Sequence, residues 1–349
     1  MDSDGRQKVE SNDRMKMKEG INMERDLTLT EALELLQNAR NLNQPDAAFD
    51  LFRRASQKRR QVLGDQLWWT SGSGGIFPCH VVPRCTYCSF FTENQFPMDA
   101  LLRGLELIEN MGIRQFHISG GTDLKGGFEE PLLAMVRTIR EHSSLQLEVN
   151  LGPSFSKQAV LELKRLGVES ITSSLECTNP EIFQAVKPGD SLEQRQRLLE
   201  LCQELDMPSR TMMLVGLGER DEDRISHLFY LKQFDKLYQL RISRFMPFPG
   251  TTLQAHPRCS PWETALVTAM ARLILPDREI SLAAGNGTED IPLWYLAGGG
   301  NQLMGVSITS HAPKASSEVF VHEIGEHLYV VDKRKEIQRI LEGMLLKIV

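Results

Sequence analysis

The chain has 349 residues, of which 41% are hydrophobic and 25% are charged, as in an ordinary globular protein with a large core. Its net charge of -6 argues against a general nucleic-acid binder, which usually presents a basic face. No apolar run approaches the roughly 18 residues that a membrane span needs, and residues 1–25 lack the apolar segment of a secretory signal. Six cysteines, three of them clustered, favour a metal or redox site in a reducing cytoplasm over a disulfide framework.

A change of pattern after residue 26 marks the start of ordered structure. The preceding tail is polar and charged, and we expect it to be disordered or loosely attached. Thr28 is suited to cap a helix, with Glu31 placed to complete a capping box, and the apolar spacing beyond it is helical. A second helix is expected at about residues 46–63. Together these helices form a predicted N-terminal cap, residues 27–64.

Short apolar runs rich in β-branched residues then alternate with helical stretches, which is typical of a parallel α/β fold. The predicted strands are a first one within residues 67–77 and then 115–121, 145–152, 170–176, 211–218, 239–246, 279–284 and 303–309. The predicted helices are about 98–111, 129–142, 156–166, 191–206, 222–235, 260–273 and 290–297. About eight such units predict a (β/α)8 TIM-type barrel over residues 65–317. A doubly wound open sheet is the alternative, because periodicity does not show closure.

The last part of the chain, residues 318–349, is predicted as a C-terminal extension. It holds an apolar run from Tyr329 to Val331, followed by a helix from about Lys333. We expect this extension to pack against the bottom of the barrel or to close an edge of the sheet.

Unusual residues fall where the predicted strands end. The clustered cysteines follow the first strand, and glycine-rich or polar segments follow the next five. In a barrel of this type the carboxyl ends of the strands, with the loops after them, build the active site. These residues therefore predict one site at that face. They are Gly120 to Asp123, Asn150, Gly152, Glu176, Gly216 to Glu219 and the segment 244–250.

Three cysteines, Cys79, Cys85 and Cys88, form the motif Cx5Cx2C after the first strand. Three thiolates are one ligand short of structural zinc, which takes four, so a zinc site would need His80 or an outside ligand. They suit a 4Fe–4S cluster that leaves one iron open, because iron–sulfur clusters take soft thiolate ligands. Three separate inert thiols are the remaining alternative.

The motif resembles the cluster loop of radical S-adenosylmethionine (SAM) enzymes, including the aromatic Tyr87 just before the last cysteine. The usual spacing in that family is Cx3Cx2C, so this loop is two residues longer. The resemblance implies a 4Fe–4S cluster on the three cysteines, with SAM chelated on the open iron. It also implies reductive cleavage of SAM to methionine and a 5′-deoxyadenosyl radical, which takes hydrogen from a substrate inside the barrel.

Similarity to the biotin-synthase-like branch of the family covers about residues 30–310 and implies roles for other strand ends. Gly120, Gly121 and Thr122 match a segment whose backbone receives the SAM amine, although threonine stands where glutamate is common. Glu176 matches a glutamate that holds the SAM ribose, and Arg195 matches an arginine that holds the SAM carboxylate.

The glycine-rich end of the fifth strand and the exit from the sixth are the implied adenosyl side of the site. Gly216 and Gly218 would let backbone approach the nucleoside. Met246 lies in a segment that resembles the one flanking adenine in the family.

Substrate binding has three candidate residues in the sequence. Arg241 matches an arginine that grips the product carboxylate in methylornithine synthase, whereas Asp123 and Asn150 are candidates on position alone. His117 and His311 could face the same cavity, but a lone histidine is more often a structural hydrogen-bonding group.

Within the branch, the Cx5Cx2C spacing resembles the HmdB subgroup, maturases implicated in building the iron–guanylylpyridinol cofactor of the mononuclear iron hydrogenase Hmd. The alternatives are another enzyme of the branch, of the methylornithine synthase, hydrogenase maturase or sulfur-insertion type, and a non-catalytic metal-binding barrel or iron–sulfur scaffold. The expected partners are a small-molecule substrate, an electron donor such as ferredoxin or flavodoxin, and other cofactor-maturation proteins, with no nucleic acid and no membrane.

Overall fold

The structure is a computed structural model that describes residues 26–89, 96–283, 285–311, 313 and 315–349. The tail predicted before the first helix lies outside these residues, apart from Asp26. The described residues contain ten strands joined in one sheet. The strands are β1 (Trp68–Gly75), β2 (Gln115–Ser119), β3 (Gln146–Asn150), β4 (Val168–Thr172), β5 (Ser209–Val215), β6 (Leu237–Arg244), β7 (Glu279–Leu282), β8 (Gln302–Thr309), β9 (Phe320–Gly325) and β10 (Leu328–Asp332).

Helices alternate with these strands much as the apolar spacing predicts. A short helix after β4 was not predicted, because it has only seven residues and shows little periodicity. Proline at its first turn and an Asn179 cap explain why it forms there. The helices are α1 (Leu29–Arg40), α2 (Asp46–Leu63), α3 (Met98–Asn110), α4 (Glu129–His142), α5 (Lys157–Arg165), α6 (Pro180–Val186), α7 (Leu192–Glu204), α8 (Asp221–Lys232), α9 (Pro261–Ile274), α10 (Ile291–Leu296) and α11 (Arg334–Gly343).

The sheet has the strand order β7-β6-β5-β4-β3-β2-β1-β8-β10-β9. The first eight strands all pair in parallel, from the β1–β2 and β1–β8 ladders round to β6–β7. Each parallel connection crosses over through at least one helix, as this geometry requires. The predicted α/β barrel of parallel strands is therefore confirmed.

Hydrogen bonds join β7 to the start of β8 and to the segment before it, at the amino-terminal end of the barrel. The Glu279 carboxylate accepts hydrogen bonds from the backbone N–H groups of Asn301 and Gln302 at 2.8 and 3.0 Å. The Gly300 N–H donates to the Ile280 carbonyl at 2.6 Å. Towards the other end, the edge of β8 pairs antiparallel with β10 instead. The C-terminal apolar run thus closes an edge of the sheet, one of the two placements expected from the sequence.

Alternate side chains of the strands face opposite sides of the barrel wall. In β2, Phe116 and Ile118 are fully buried in the apolar layer between strands and helices. The intervening residues, Gln115, His117 and Ser119, are polar and also buried. Because they point away from the helices, they line the barrel interior. The inner face continues with hydrogen-bonded polar side chains of β3 to β6, which are Glu148, Ser170, Thr172, Arg210, Gln239 and Arg241.

The two N-terminal helices pack on the outside of the barrel. The predicted capping box is confirmed, since Thr28 Oγ1 accepts the Glu31 N–H at 3.3 Å and the Glu31 carboxylate accepts the Thr28 N–H at 2.8 Å. Leu36 of α1 and Leu51 of α2 are fully buried in the same apolar cluster as residues of α8 and α9. None of the helices in the described part of the chain combines the length and the apolar character that a membrane span requires.

Candidate active site

The three clustered cysteines lie on one loop that leaves the carboxyl end of β1. Cys79, Cys85 and Cys88 form no disulfide within the described residues, and all three are partly open to solvent. Burial raises the pKa of the Cys85 thiol to about 12, against the lowering influence of the nearby Lys187 ammonium. Within the described residues, no three His, Cys, Asp or Glu side chains converge on the position of a single metal ion. A 4Fe–4S cluster takes each thiolate on a different iron, so its three cysteines need not converge on one metal position.

Backbone hydrogen bonds hold this cysteine loop to three neighbouring segments. The His80 N–H donates to the Thr122 carbonyl at 2.9 Å, which joins the loop to the end of β2. The Thr86 N–H donates to the Val186 carbonyl at 2.9 Å, which joins the loop to the end of α6. The Leu253 N–H donates to the Thr86 carbonyl at 2.9 Å. The loop is thus positioned by elements that are distant in sequence.

Two glycines allow the cysteine loop to pack this closely. A Cβ atom added to Gly121 would lie 2.3 Å from the Pro78 carbonyl oxygen and 2.4 Å from the Cys79 nitrogen. A Cβ atom added to Gly189 would lie 2.3 Å from the Pro83 carbonyl oxygen. All three distances are too short for any side chain at these two positions. Gly121 allows close approach of the start of the loop, at Pro78 and Cys79. Gly189 allows close approach of Pro83, which lies in the longer gap between the first two cysteines.

The segment after β2 places its polar side chains on both sides of the cysteine loop. Thr122 Oγ1 accepts a hydrogen bond from Arg195 Nη2 at 3.1 Å. Asp123 turns the other way, with its carboxylate 2.8 Å from His80 Nδ1 and accepting the Lys125 N–H at 2.6 Å. The hydrogen bond with His80 lowers the pKa of Asp123. Asp123 therefore stabilises the loop in this structure.

Glu176 lies beyond the end of β4, which stops at Thr172, so the prediction that strand four runs to Glu176 is wrong. It forms an isolated bridge with Met213 of β5 and has a φ of 62°, in the left-handed region. Its Oε1 accepts a hydrogen bond from Lys187 Nζ at 3.2 Å. Its Oε2 is buried and has no hydrogen-bond partner among the described residues. A buried oxygen without a donor indicates a place for a donor from a bound molecule.

Arg195 projects from the first turn of α7 and is almost fully buried. Its Nε and Nη2 donate to the Asp190 carboxylate at 3.0 and 2.6 Å, and its Nη1 donates to the Ser174 carbonyl at 3.0 Å. The same aspartate lies 2.9 Å from Lys187 Nζ. Burial opposes ionisation of Asp190, but the charges of Arg195 and Lys187 outweigh it and lower the pKa of this carboxyl.

The sequence interpretation assigned no role to Lys187 or Asp190. Both lie in the run Lys187-Pro188-Gly189-Asp190, directly before the cap of α7 at Ser191. Lysine and aspartate in a loop are usually solvated, whereas these two side chains are 3% and 1% exposed. The proline and glycine beside them were the available signal, since they mark a tight turn.

The end of β5 is shaped by Gly216 and Gly218, which have φ values of 101° and 105°. The Glu219 carboxylate accepts the Gly216 and Leu217 N–H groups, each at 2.7 Å, and pairs with Arg224 at 2.8 Å. The predicted glycine-rich turn is therefore held by its own glutamate. An open cleft of about 510 Å³ lies beside this turn, between α1, α8 and α9, and none of the three clustered cysteines lines it.

Tyr87 and the exit from β6 meet beside the same turn. Tyr87 is partly buried against an apolar cluster that contains Leu217 and Phe245. Met246 follows Phe245 and is partly buried. Arg244 does not enter this cluster, because its Nε and Nη2 donate to the Asp290 carboxylate at 2.8 and 3.1 Å. The structure thus brings Tyr87 together with the predicted adenosyl-side segments.

The lumen candidates lie on the inner face of the barrel. Arg241 donates from Nη1 and Nη2 to the two oxygens of the buried Glu148, both at 2.5 Å. Glu148 also lies 2.8 Å from His117 Nδ1 and 3.1 Å from Arg210 Nη1. Burial would raise the pKa of Glu148, but the two guanidinium groups hold it well below its usual value. Asn150 lies at the end of β3, on the same face of the strand as Glu148.

His117 belongs to this lumen group, whereas His311 is exposed in the segment after β8. Burial lowers the pKa of His117, although Glu148 acts in the opposite direction. The structure therefore separates the two histidines that the sequence treated alike. Glu148 was missed, because a glutamate inside a predicted strand carries no motif.

A family model described as the radical SAM superfamily matches residues 83–231. The uncharacterized protein MJ0785 of Methanocaldococcus jannaschii is 30% identical over 242 residues, which are 67% of this chain and 64% of that protein's length. Biotin synthase of Halorhodospira halophila is 30% identical over 234 residues, which are 63% of this chain and 70% of that enzyme.

Solved structures show the same fold at lower sequence identity. Methylornithine synthase (PylB) aligns with a TM-score of 0.71 and 19% identity over 96% of this chain and 97% of that chain. The FeFe-hydrogenase maturase HydG from Carboxydothermus hydrogenoformans aligns with a TM-score of 0.68 and 18% identity over 87% of this chain and 72% of that chain.

Proposed function

This chain belongs to the radical SAM superfamily, and we propose that it acts in biosynthesis of the iron–guanylylpyridinol cofactor of Hmd hydrogenase, the role in which the HmdB subgroup is implicated. It is a radical SAM enzyme whose cofactors are a 4Fe–4S cluster and SAM. The observation that carries the finer proposal is the longer loop between Cys79 and Cys85, which packs against Gly189. That contact supports the interpretation that the five-residue spacing between Cys79 and Cys85 is a structural feature that distinguishes a subgroup of the family.

In this proposal Cys79, Cys85 and Cys88 hold the cluster. The support is that all three lie on one loop with fixed anchors, are partly exposed and form no disulfide in the described part of the chain. Three thiolates leave one iron without a protein ligand, which is where SAM binds in the family. When bound, the cluster supplies the electron that cleaves SAM and so initiates hydrogen abstraction from the substrate.

The proposed SAM-binding residues surround the cysteine loop. Glu176 offers the unpartnered Oε2 to a ribose hydroxyl, which is a hydrogen-bond donor. Arg195 has five N–H donors, and its hydrogen bonds to Asp190, Ser174 and Thr122 leave an Nη1 N–H for a carboxylate. The segment Gly120 to Thr122 is proposed for the amine, and Tyr87, Gly216, Gly218 and Met246 for the adenosyl side.

We propose that the substrate binds in the polar lumen with Arg241 and Asn150 as contacts, and that Asp123, which holds His80 in this structure, contacts it from the segment after β2. Arg241 is the strongest of the three, because it is a partly exposed cation on the inner face of β6. Its bond to Glu148 fixes the direction of the guanidinium and uses two of its five donors. The donors of Arg241 that Glu148 does not use favour a small substrate that carries a carboxylate or another anionic group.

Sulfur insertion of the biotin synthase type is the competing proposal, since biotin synthases are among the relatives. That chemistry uses a second, sacrificial cluster, which needs further cysteines inside the barrel. Cys202 is fully buried in the middle of α7, and Cys177 is buried in an apolar cluster. Cys259 lies against Gly216, outside the lumen residues. These positions argue against a second cluster.

The proposal is tested with anaerobically purified, iron- and sulfide-reconstituted protein. We expect about four irons per chain and formation of 5′-deoxyadenosine from SAM under dithionite, with ferredoxin or flavodoxin as the physiological donor. The finer function is tested in a methanogen that lacks its own HmdB. There, expression of this chain should restore the guanylylpyridinol cofactor, and a Cys85→Ala variant should not.

The outcomes separate the two levels of the proposal. A cluster that cleaves SAM in a protein that fails to restore the cofactor would contradict the HmdB-like role alone. A chain that binds zinc, or a cluster inert toward SAM, would contradict the proposed cysteine and SAM residues as well.

A further inference from the structure

One tight turn, residues 187–190, connects the two ends of the proposed SAM site. Lys187 Nζ lies 3.2 Å from Glu176 Oε1 and 2.9 Å from Asp190 Oδ2. The Asp190 carboxylate accepts hydrogen bonds from Nε and Nη2 of Arg195. Arg195 Nη2 also donates to Thr122 Oγ1 at 3.1 Å. The result is a continuous chain of buried polar groups from Glu176 to Thr122.

The members of this chain balance one another in charge. Lys187 and Arg195 contribute two positive charges, and Glu176 and Asp190 contribute two negative ones. All four side chains are buried, so each depends on its neighbours in place of water. Removal of any one member leaves an uncompensated buried charge on the next. When Lys187 is lost, Asp190 keeps two donors of Arg195, whereas Glu176 loses the donor on its Oε1.

The same turn also supports the cysteine loop. The end of α6 accepts the Thr86 N–H at the Val186 carbonyl, at 2.9 Å. The backbone at Gly189 approaches Pro83 so closely that an added Cβ would lie 2.3 Å from the Pro83 oxygen. The turn thus contacts the middle of the loop with its backbone and the two SAM candidates with its side chains.

We propose that Lys187 and Asp190 are positioning residues. They orient Glu176 to bind the ribose of SAM and Arg195 to bind its carboxylate. Lys187 holds Glu176 Oε1 so that Oε2 is left for the ribose, and Asp190 holds both Lys187 and the Arg195 fork. The inference rests on the SAM-binding roles of Glu176 and Arg195 under the proposed function. Lys187 is assigned to the nucleoside half alone, whereas Asp190 serves both halves.

Binding of SAM fragments to the cluster-loaded protein tests this assignment. The probes are 5′-deoxyadenosine and methionine, measured separately by equilibrium dialysis, with iron content and thermal unfolding as accompanying readouts. In Lys187→Met we expect the Kd of 5′-deoxyadenosine to rise about tenfold or more, the effect of one lost charge-assisted hydrogen bond, with methionine changed less than about twofold. In Asp190→Asn both dissociation constants should rise.

A double variant and two surface controls complete the test. In Lys187→Met/Asp190→Asn the loss of 5′-deoxyadenosine affinity should be smaller than the product of the single losses, because the two residues act through one chain. Lys157→Met and Glu181→Gln remove a lysine charge and a carboxylate charge at exposed sites. They should leave the Kd of 5′-deoxyadenosine and the Kd of methionine unchanged. If Asp190→Asn does not accumulate as folded protein, the fragment selectivity of Lys187→Met decides the question.

Three results would overturn the inference. One is an equal change for both fragments in Lys187→Met, and another is no change at all. The third is a lowered unfolding temperature with unchanged fragment constants, which indicates a merely structural role. Failure of the wild-type protein to bind either fragment despite a full cluster would instead overturn the proposed SAM residues, and the inference with them.

Discussion

Cys85 is the middle one of the three clustered cysteines. Its replacement should abolish metal binding and leave the fold intact. Cys85→Ala removes one of three thiolates, so we expect iron per chain and 5′-deoxyadenosine formation to fall to background. The barrel core is built from strand and helix residues outside this loop, so far-UV circular dichroism should stay unchanged. Cys202→Ala, at a cysteine buried in α7, is the matched control and should retain its iron. Full iron content in Cys85→Ala would contradict the assignment.

Arg241 tests the division between the cofactor side and the substrate side of the barrel. Its hydrogen bonds go to Glu148 and Thr172, and none reaches the Glu176–Arg195 group. Glu148 keeps Arg210 and His117 as neighbours after the change. Arg241→Ala should therefore spare uncoupled cleavage of SAM and abolish substrate turnover.

The measurement compares 5′-deoxyadenosine formation without substrate against the yield of restored hydrogenase cofactor. Arg197→Ala, at an exposed arginine of α7, is the control and should leave both unchanged. Loss of SAM binding in Arg241→Ala would show that Arg241 belongs to the cofactor side.

The turn between α6 and α7 is the element that relates the cysteine loop to the rest of the site. Gly189→Ala would place a Cβ 2.3 Å from the Pro83 oxygen, and the loop must move to relieve this contact. We expect a loss of about 1–3 kcal/mol in the free energy of unfolding, as for other overpacked sites. Iron content should fall as well, because the displaced loop carries Cys79 and Cys85.

Urea unfolding and iron analysis check this expectation. Gly343→Ala is the matched control, because an added Cβ there meets nothing within 4 Å. Wild-type iron content and stability in Gly189→Ala would show that the longer loop does not depend on this contact.

For the molecule as a whole, buried titratable groups determine how the free energy of unfolding changes as the pH falls below neutral. Burial lowers the pKa of His227 from 6.5 to about 3, and neither ring nitrogen has a partner within the described residues. Between these pH values the unfolded chain binds a proton that the folded chain does not. The free energy of unfolding should therefore fall as pH decreases from 6.5, by at most about 1.4 kcal/mol per pH unit for this group.

His227→Leu should remove this part of the acid loss. Leucine needs no hydrogen bond at a buried site, so the variant should match or exceed the wild type near pH 5. The check is urea unfolding of the cluster-free chain at pH 7.5, 6 and 5, with His142→Leu as the change at an exposed histidine. An identical pH dependence in wild type and His227→Leu would contradict the prediction.

Below about pH 4.5 both proteins should lose stability further, because the lowered pKa values of Glu148 and Asp190 stabilise the fold only while these carboxyls are ionised.

Periodicity and spacing along the chain were sufficient for the fold class, most helix bounds and the cysteine motif. These features are local, because the apolar period of a helix or strand and the ligands of one loop lie within a short stretch. The capping box at Thr28 and Glu31 was predicted for the same reason. The local pattern failed at Glu176, which lies outside β4 in a left-handed conformation that apolar alternation does not signal.

Spacing along the chain was enough to predict that a barrel presents three thiolates, a glycine-rich segment and a glutamate at one face. How these groups are held follows from contacts between segments that are distant in sequence. It pairs Arg241 with Glu148, joins Glu176 to Arg195 through Lys187 and Asp190, and seats the longer cysteine loop on Gly189. Each of these contacts depends on burial and on the approach of separate segments, and the energy of a charge depends on what surrounds it. Lys187 and Asp190 thereby become the buried link between Glu176 and Arg195.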